Sequence, residues 1–219
     1  MYNLKIKSLS IFNNLFFRYP IIVNLREVIL SSISIFLKNY LSGGKILICG
    51  NGGSGADSEH IVGELLKGFV LNRTISNSLL LKFEEKFPDD KNDFYMNLQN
   101  PIPAISLISQ TAFISAYNND KNSDFVYAQQ VFAYAKKYDS LLCISTSGNS
   151  KNVINAAKMA KILEIPVISF TGNSGGKLKD LSDCLINVKS FITSEIQELH
   201  LPIYHSICMI LEEELFGEN

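Results

Sequence analysis

Five short runs of residues that are apolar throughout, each closed by turn chemistry, constrain this chain more than any other feature. They are KILICG (45–50), IPAISLI (102–108), SLLCIST (140–146), PVISFTG (166–172) and CLINV (184–188). A strand that is apolar on both sides must be covered on both sides. Helical patterns separate the later runs, at about 124–137, 151–163 and 175–182, and a last helix spans about 194–215 and stops at Gly217. Alternation of this kind builds right-handed βαβ units on a mostly parallel sheet. The expected class is therefore α/β, with five strands flanked by helices. At 219 residues, 47% of them hydrophobic, the chain can bury one sizeable core, and a single domain over 1–219 is expected.

Ahead of the first strand, residues 22–40 carry apolar positions at helical spacing and stop at Ser42-Gly43-Gly44. The first 42 residues or so are read as a helical segment. The stretch at about 70–100 fits the strand–helix rhythm least. It is read as an excursion with a partial helix near 78–86, a Pro-Asp-Asp turn and a second short helix leading to Pro101. With 20 basic and 21 acidic residues the net charge is -1, so no nucleic-acid surface is expected. An anionic ligand would have to be met by amides and hydroxyls. Cys49, Cys143, Cys184 and Cys208 show no paired metal or redox spacing and are read as buried reduced thiols. No stretch approaches the ~20 apolar residues of a membrane span and no cleavable leader is read, so a cytoplasmic location is expected.

Three constellations carry candidate chemistry. Gly50-Asn51-Gly52-Gly53-Ser54-Gly55 follows a strand and opens a helix, as a dinucleotide fingerprint does. The next strand ends Ser106-Leu107-Ile108-Ser109-Gln110 with no carboxylate for a ribose, so no nucleotide cofactor is expected. What remains is backbone that a ligand can approach, at a helix N-terminus that favours anionic groups. Ser145-Thr146-Ser147-Gly148-Asn149-Ser150 also links a strand to a helix. A helix cap needs one hydroxyl and this loop supplies four, which suits a neutral phosphate cradle. Third, His60 and Glu64 are four residues apart and share one helix face, as two metal ligands or an acid/base pair would. Gln197, Glu198, His200 and His205 lie on the last helix.

Taken together, GNGGSGADSEHIVGEL (50–65), AYNND (116–120), ISTSGNSKNVINAAKMAK (144–161), FTGNSGGKL (170–178) and EIQELHLPIYH (195–205) resemble a sugar isomerase (SIS) domain. The resemblance is strongest to the phosphoheptose isomerases. It implies a Rossmann-like, flavodoxin-type three-layer sandwich. Carried over by residue, it implies that Asn51, Gly52, Gly53 and Ser54 line the sugar and that Asn119 and Asp120 contact the open-chain hydroxyls. Ser145, Thr146, Ser147 and Ser150 would hold the phosphate, and Glu64 and His205 would form the acid/base pair. His60, Glu64, Gln197 and His205 would bind zinc, with Glu64 and Gln197 also at the substrate. The family is tetrameric, with sites built between subunits. The implied reaction converts sedoheptulose 7-phosphate to D-glycero-D-manno-heptose 7-phosphate through an enediol, which requires a base, a proton shuttle and oxyanion stabilisation.

Two features bear on how far the pattern carries over. Where family members carry a basic residue after the helix of Glu64, this chain has Lys67-Gly68-Phe69. Gln197 and His205 are eight residues apart, roughly 12 Å along a helix at 1.5 Å per residue, so one metal meets both only if the side chains lean together, Pro202 bends the helix or a neighbour supplies a ligand. The competing readings are a non-catalytic SIS protein that binds a phosphosugar or a protein partner such as a replication initiator, and an isomerase for another sugar phosphate. The presence of both Glu64 and His205 favours the enzyme.

Overall fold

The computed structural model describes residues 4–218. All five expected strands form: β1 (Ile46–Gly50), β2 (Ala104–Ser106), β3 (Ser140–Ile144), β4 (Val167–Thr171) and β5 (Cys184–Asn187). They make one sheet in the order β2-β1-β3-β4-β5, and every neighbouring pair is parallel. β2 is shorter than the apolar run that announced it.

Side chains alternate across the sheet, as strand geometry demands. Ile46, Ile48, Leu142, Ile144, Ile168, Phe170, Cys184 and Ile186 enter one core. Leu47, Cys49, Leu141, Cys143 and Val167 enter the other. The first core is roofed by α1 (Ile6–Arg18), α2 (Arg26–Leu41), α3 (Gly53–Leu66) and α9 (Thr193–Phe216), the second by α7 (Val126–Tyr134) and α8 (Lys151–Ile162). The result is a three-layer sandwich.

The N-terminal helical segment is two helices joined by a 3-10 elbow at Pro20–Leu25; residues 1–3 lie outside the described part. Against expectation, one stretch, Pro20–Leu41, is long and apolar enough by composition to cross a bilayer. Six of its apolar side chains, Ile22, Leu25, Ile29, Ile33, Phe36 and Leu37, are buried in the first core, against α9 and β5, while Ile21, Val23 and Leu41 are exposed. The pattern at 175–182 is a 3-10 turn, Gly176–Asp180, because Gly175 and Gly176 both take positive φ and break helical propagation.

The excursion holds α4 (Asn77–Lys86) and α5 (Lys91–Asn97). They pair through stacked Phe83 and Phe94, centroids 4.2 Å apart, and through Lys91 and Glu84 at 2.8 Å. Neither helix buries a residue in the core. Between β2 and α7 stands α6 (Thr111–Asp120), a helix not among those expected.

Candidate active site

Sheet order reverses direction between β1 and β3, since the chain leaves β1 toward β2 on one side and returns to build β3, β4 and β5 on the other. Open parallel sheets bind ligands at the carboxyl ends of the strands beside such a switch point. Gly50 and Ile144 end β1 and β3 in register, and the two sequence motifs follow directly. A cavity of about 340 Å³ opens there, lined by Asn51, Gly52, Gly53, Ser54, Ser145, Thr146, Ser150 and Gln197 among others.

Close approach fixes the glycines. Gly52 takes φ +54° as it turns into α3. A Cβ on Gly50 would lie 2.4 Å from the Ser54 carbonyl oxygen. In the hydroxyl loop, Gly148 has φ +64°, and a Cβ there would lie 2.0 Å from the Gly175 carbonyl oxygen. Asn149 braces this loop, donating to the Ser147 carbonyl at 3.0 Å and accepting from the Lys177 amide at 3.1 Å. Ser145 and Ser150 share a hydrogen bond of 3.1 Å. Ser147 is exposed and its hydroxyl accepts from the Asn149 amide at 3.1 Å, so it does not line the cavity as the other three do.

The ionisable residues gather where α3 meets α9. His60 Nε2 is 3.3 Å from Glu64 Oε1 and 3.4 Å from His205 Nε2. Lys67 Nζ reaches Glu64 Oε2 at 3.4 Å, and Phe69 lies against the His205 ring, centroids 5.4 Å apart. Behind them, the Tyr204 hydroxyl is 3.0 Å from His60 Nδ1 and 3.2 Å from Asp57 Oδ1. Burial pushes His205 below the usual histidine range, His60 adds to this, and the Glu64 carboxylate opposes it. Burial raises Asp57, with the Tyr204 hydrogen bond acting the other way.

The end of α3 that carries Glu64 is clamped. Arg73, fully buried, donates to the carbonyls of Leu65 at 2.7 Å and Glu64 at 3.1 Å, and its Nε pairs with Glu212 Oε1 at 2.7 Å. Glu212 also accepts from the amides of Phe69, Val70 and Leu71. Burial would raise its carboxyl; those amides and Arg73 more than reverse the effect and hold it below the usual range.

Other expected residues stand elsewhere. Gln197 is turned to α3: a Cβ on Gly53 would lie 2.5 Å from its Nε2. It lines the cavity, two helical turns from His205. Asn119 and Asp120, at the end of α6, hydrogen-bond to each other at 2.9 Å and do not line this cavity. His60, Glu64 and His205 meet pairwise through His60. Among the described residues no three His, Cys, Asp or Glu side chains surround a common point ready for a metal. The separations nevertheless suit the donor set, because two ligands of one tetrahedral zinc at about 2.1 Å stand roughly 3.4 Å apart. Tyr204 occupies the other nitrogen of His60, as outer partners of ligating histidines do. Sequence reading passed over Asp57, Tyr204, Tyr127 and Asn152; Asp57, three residues before His60 and so on its helix face, was the one within reach.

The SIS domain family model matches residues 95–172. Among curated proteins, the phosphoheptose isomerase of Crocosphaera subtropica is 40% identical over 187 residues, covering 85% of this chain and 82% of that protein. Phosphoheptose isomerase 2 of Campylobacter jejuni is 37% identical over 196 residues, covering 90% and 85%. The chain belongs to the phosphoheptose isomerase family. Solved phosphoheptose isomerases agree in fold. That of Francisella tularensis matches with a TM-score of 0.74 at 30% identity, covering 94% of this chain and 93% of its own. That of Neisseria gonorrhoeae gives 0.70 at 30% identity, with 94% of both chains covered. As a member of the phosphoheptose isomerase family, the protein is a sugar-phosphate isomerase of the aldose–ketose type.

Proposed function

We propose that the protein interconverts sedoheptulose 7-phosphate and D-glycero-D-manno-heptose 7-phosphate through an enediol. The observation that carries this reading is the contact of His60 with both Glu64 and His205 on α3 and α9, the two helices whose Gly53, Ser54 and Gln197 line the hydroxyl-rimmed cavity. The phosphate is assigned to Ser145, Thr146 and Ser150 and the free amides at the start of α8, with Ser147 at the loop's exposed edge. Asn51, Gly52, Gly53, Ser54 and Gln197 are assigned to the sugar. Asn119 and Asp120 are kept as contacts for its hydroxyls only in a rearranged or assembled state. The span of roughly 12 Å along α9 from Gln197 to His205 suits a long open chain.

In the forward direction Glu64 takes the C1 proton while His205 delivers one to O2, giving the enediol. The proton then returns to C2 as O1 loses its own. A histidine held below its ordinary range is neutral at pH 7, and a neutral imidazole N–H can bridge O2 and O1 and move a proton between them. Lys67 is placed to offset negative charge on Glu64 and on the enediolate.

Zinc is part of the proposal, held by His60, Glu64 and His205, with Gln197 joining only if it leaves Gly53. Bound there, it would supply a Lewis acid for the developing oxyanion. Glu64 Oε2 and His205 Nδ1 would remain for proton transfer. We further propose a cytoplasmic homotetramer with sites between subunits, to which the exposed side chains of Phe17, Met96 and Phe191 lend support.

The test is NMR-followed turnover of sedoheptulose 7-phosphate by the purified protein, with and without added zinc. Conversion to a heptose 7-phosphate is expected, stimulated by zinc. Glu64→Gln should lose about 10²–10⁴-fold in kcat while still binding the sugar phosphate. Absence of turnover by the unaltered protein, or full activity in the variant, would refute the assignment.

A further inference from the structure

The cavity at the switch point has a neighbour. A second cavity, of about 450 Å³, lies beside it and shares Asn51 and Ser150 as wall. Asn51, just after β1, stands on the shared wall, and Asn152, in the first turn of α8, lines the second cavity behind it. Their amides exchange two hydrogen bonds: Asn51 Nδ2 donates to Asn152 Oδ1, and Asn152 Nδ2 donates to Asn51 Oδ1, each at 2.9 Å. The pairing therefore spans the crevice, tying the glycine loop to the hydroxyl loop.

The orientation of both amides follows from groups that can act in one sense only. The backbone N–H of Val153 donates at 3.0 Å to one side-chain atom of Asn152, which must be its oxygen. The other atom is then a donor, so the Asn51 atom facing it is the Asn51 oxygen. The single hydrogen of the Tyr127 hydroxyl is shared between that oxygen, at 3.2 Å, and the Gly50 carbonyl, at 2.7 Å. Tyr127 is buried, and burial, with Cys49 next, raises its pKa, so it remains a donor. One hydrogen of Asn51 Nδ2 goes to Asn152, leaving the second for a ligand.

We propose that Asn152 and Tyr127 are positioning residues that hold Asn51 at a fixed distance from the phosphate loop. Together they form a pin that makes the site discriminate sugar phosphates by the length and placement of their hydroxyls. With the pin in place, a ligand anchored by its phosphate meets a donor at one set position. Without it, the partition between the cavities opens and the polyol chain can stray into the larger one.

The proposal rests on the sugar-phosphate reading of the site, and its test is built to fail separately from that reading. Calorimetry would compare inorganic phosphate with the five-, six- and seven-carbon alditol phosphates, which carry no carbonyl and cannot isomerise. The readout is the affinity that the best alditol phosphate gains over inorganic phosphate. In Asn152→Ala this gain should fall by roughly tenfold, preference among chain lengths should flatten, and the Kd for inorganic phosphate should stay within about twofold. Tyr127→Phe removes one hydroxyl from the opposite side and leaves the ring in the core, so it should shift the gain in the same direction by about threefold. An unchanged gain in both folded variants overturns the pin, as does a parallel loss of phosphate affinity. So does a wild-type protein that binds no alditol phosphate more tightly than phosphate. A gain that collapses as expected, but with a five- or six-carbon ligand as the best binder, supports the pin and removes the heptulose reading.

Discussion

At the scale of single residues, the histidines divide by environment. His60 and His205 meet at the edge of the molecule; His200, five residues before His205, is sealed inside. Its Nε2 lies 3.2 Å from the Thr171 carbonyl, which can only accept, so the proton sits on Nε2. Nδ1 is buried without a partner. Burial lowers this histidine to about 4, the Thr171 bond opposing. In the unfolded chain it would titrate near 6.5. Between those two values the unfolded state binds the extra proton, so stability declines as pH drops from about 6.5 to about 4. The loss is on the order of 3 kcal/mol. Urea midpoints measured across that window should fall less steeply for His200→Gln than for the natural protein. Parallel slopes would show that other groups govern acid stability.

At the scale of elements, two glycines make opposite predictions. A Cβ on Gly53 would meet the far end of Gln197, a flexible side chain that can swing away. Gly53→Ala should leave the thermal midpoint nearly unchanged and raise KM, because the sugar wall is displaced. A Cβ on Gly148 would meet the Gly175 backbone, at a φ that side chains rarely adopt. Gly148→Ala should unfold the hydroxyl loop and lower both phosphate affinity and the thermal midpoint. Kinetics and differential scanning of the two variants check the contrast, and equal effects would contradict the loop geometry. The strands and the helices that cover them could be read from sequence because burial on both faces leaves uninterrupted apolar runs, as in Ser140–Ile144. α6 was harder to see, since it buries no residue fully and touches the second core only through half-buried Phe113, Ile114 and Tyr117. Within the site, the His60–Glu64 pair was legible because helix periodicity alone brings it together. The meeting of Tyr204 with Asp57, or of Asn152 with Asn51, depends on how distant segments pack. Local pattern holds no record of it.

At the scale of the whole molecule, the α4–α5 hairpin is attached rather than integrated. Thr74 and Gln99 form a bridge at its base, and its side chains leave Leu81 and Met96 at 64% and 77% exposure. Replacing residues 77–97 with a short Gly-Ser turn should preserve the far-UV signature of the core. It should also weaken the proposed tetramer, as seen by native mass spectrometry. An intact tetramer would place the subunit contacts elsewhere.

Cys49 and Cys143 face each other in register on β1 and β3, with sulfurs 3.9 Å apart, and Cys184 and Cys208 are buried too. The consequence is a built-in reporter. Burial raises the pKa of Cys143, and raises that of Cys208 to about 12, so neither offers a thiolate while the chain is folded. Reaction with a small thiol reagent must wait for the sheet to open, and its rate under native conditions reads the frequency of that opening without any added label. Once open, the two central-strand thiols are free to join any partner within reach, so faithful refolding depends on reductant being present.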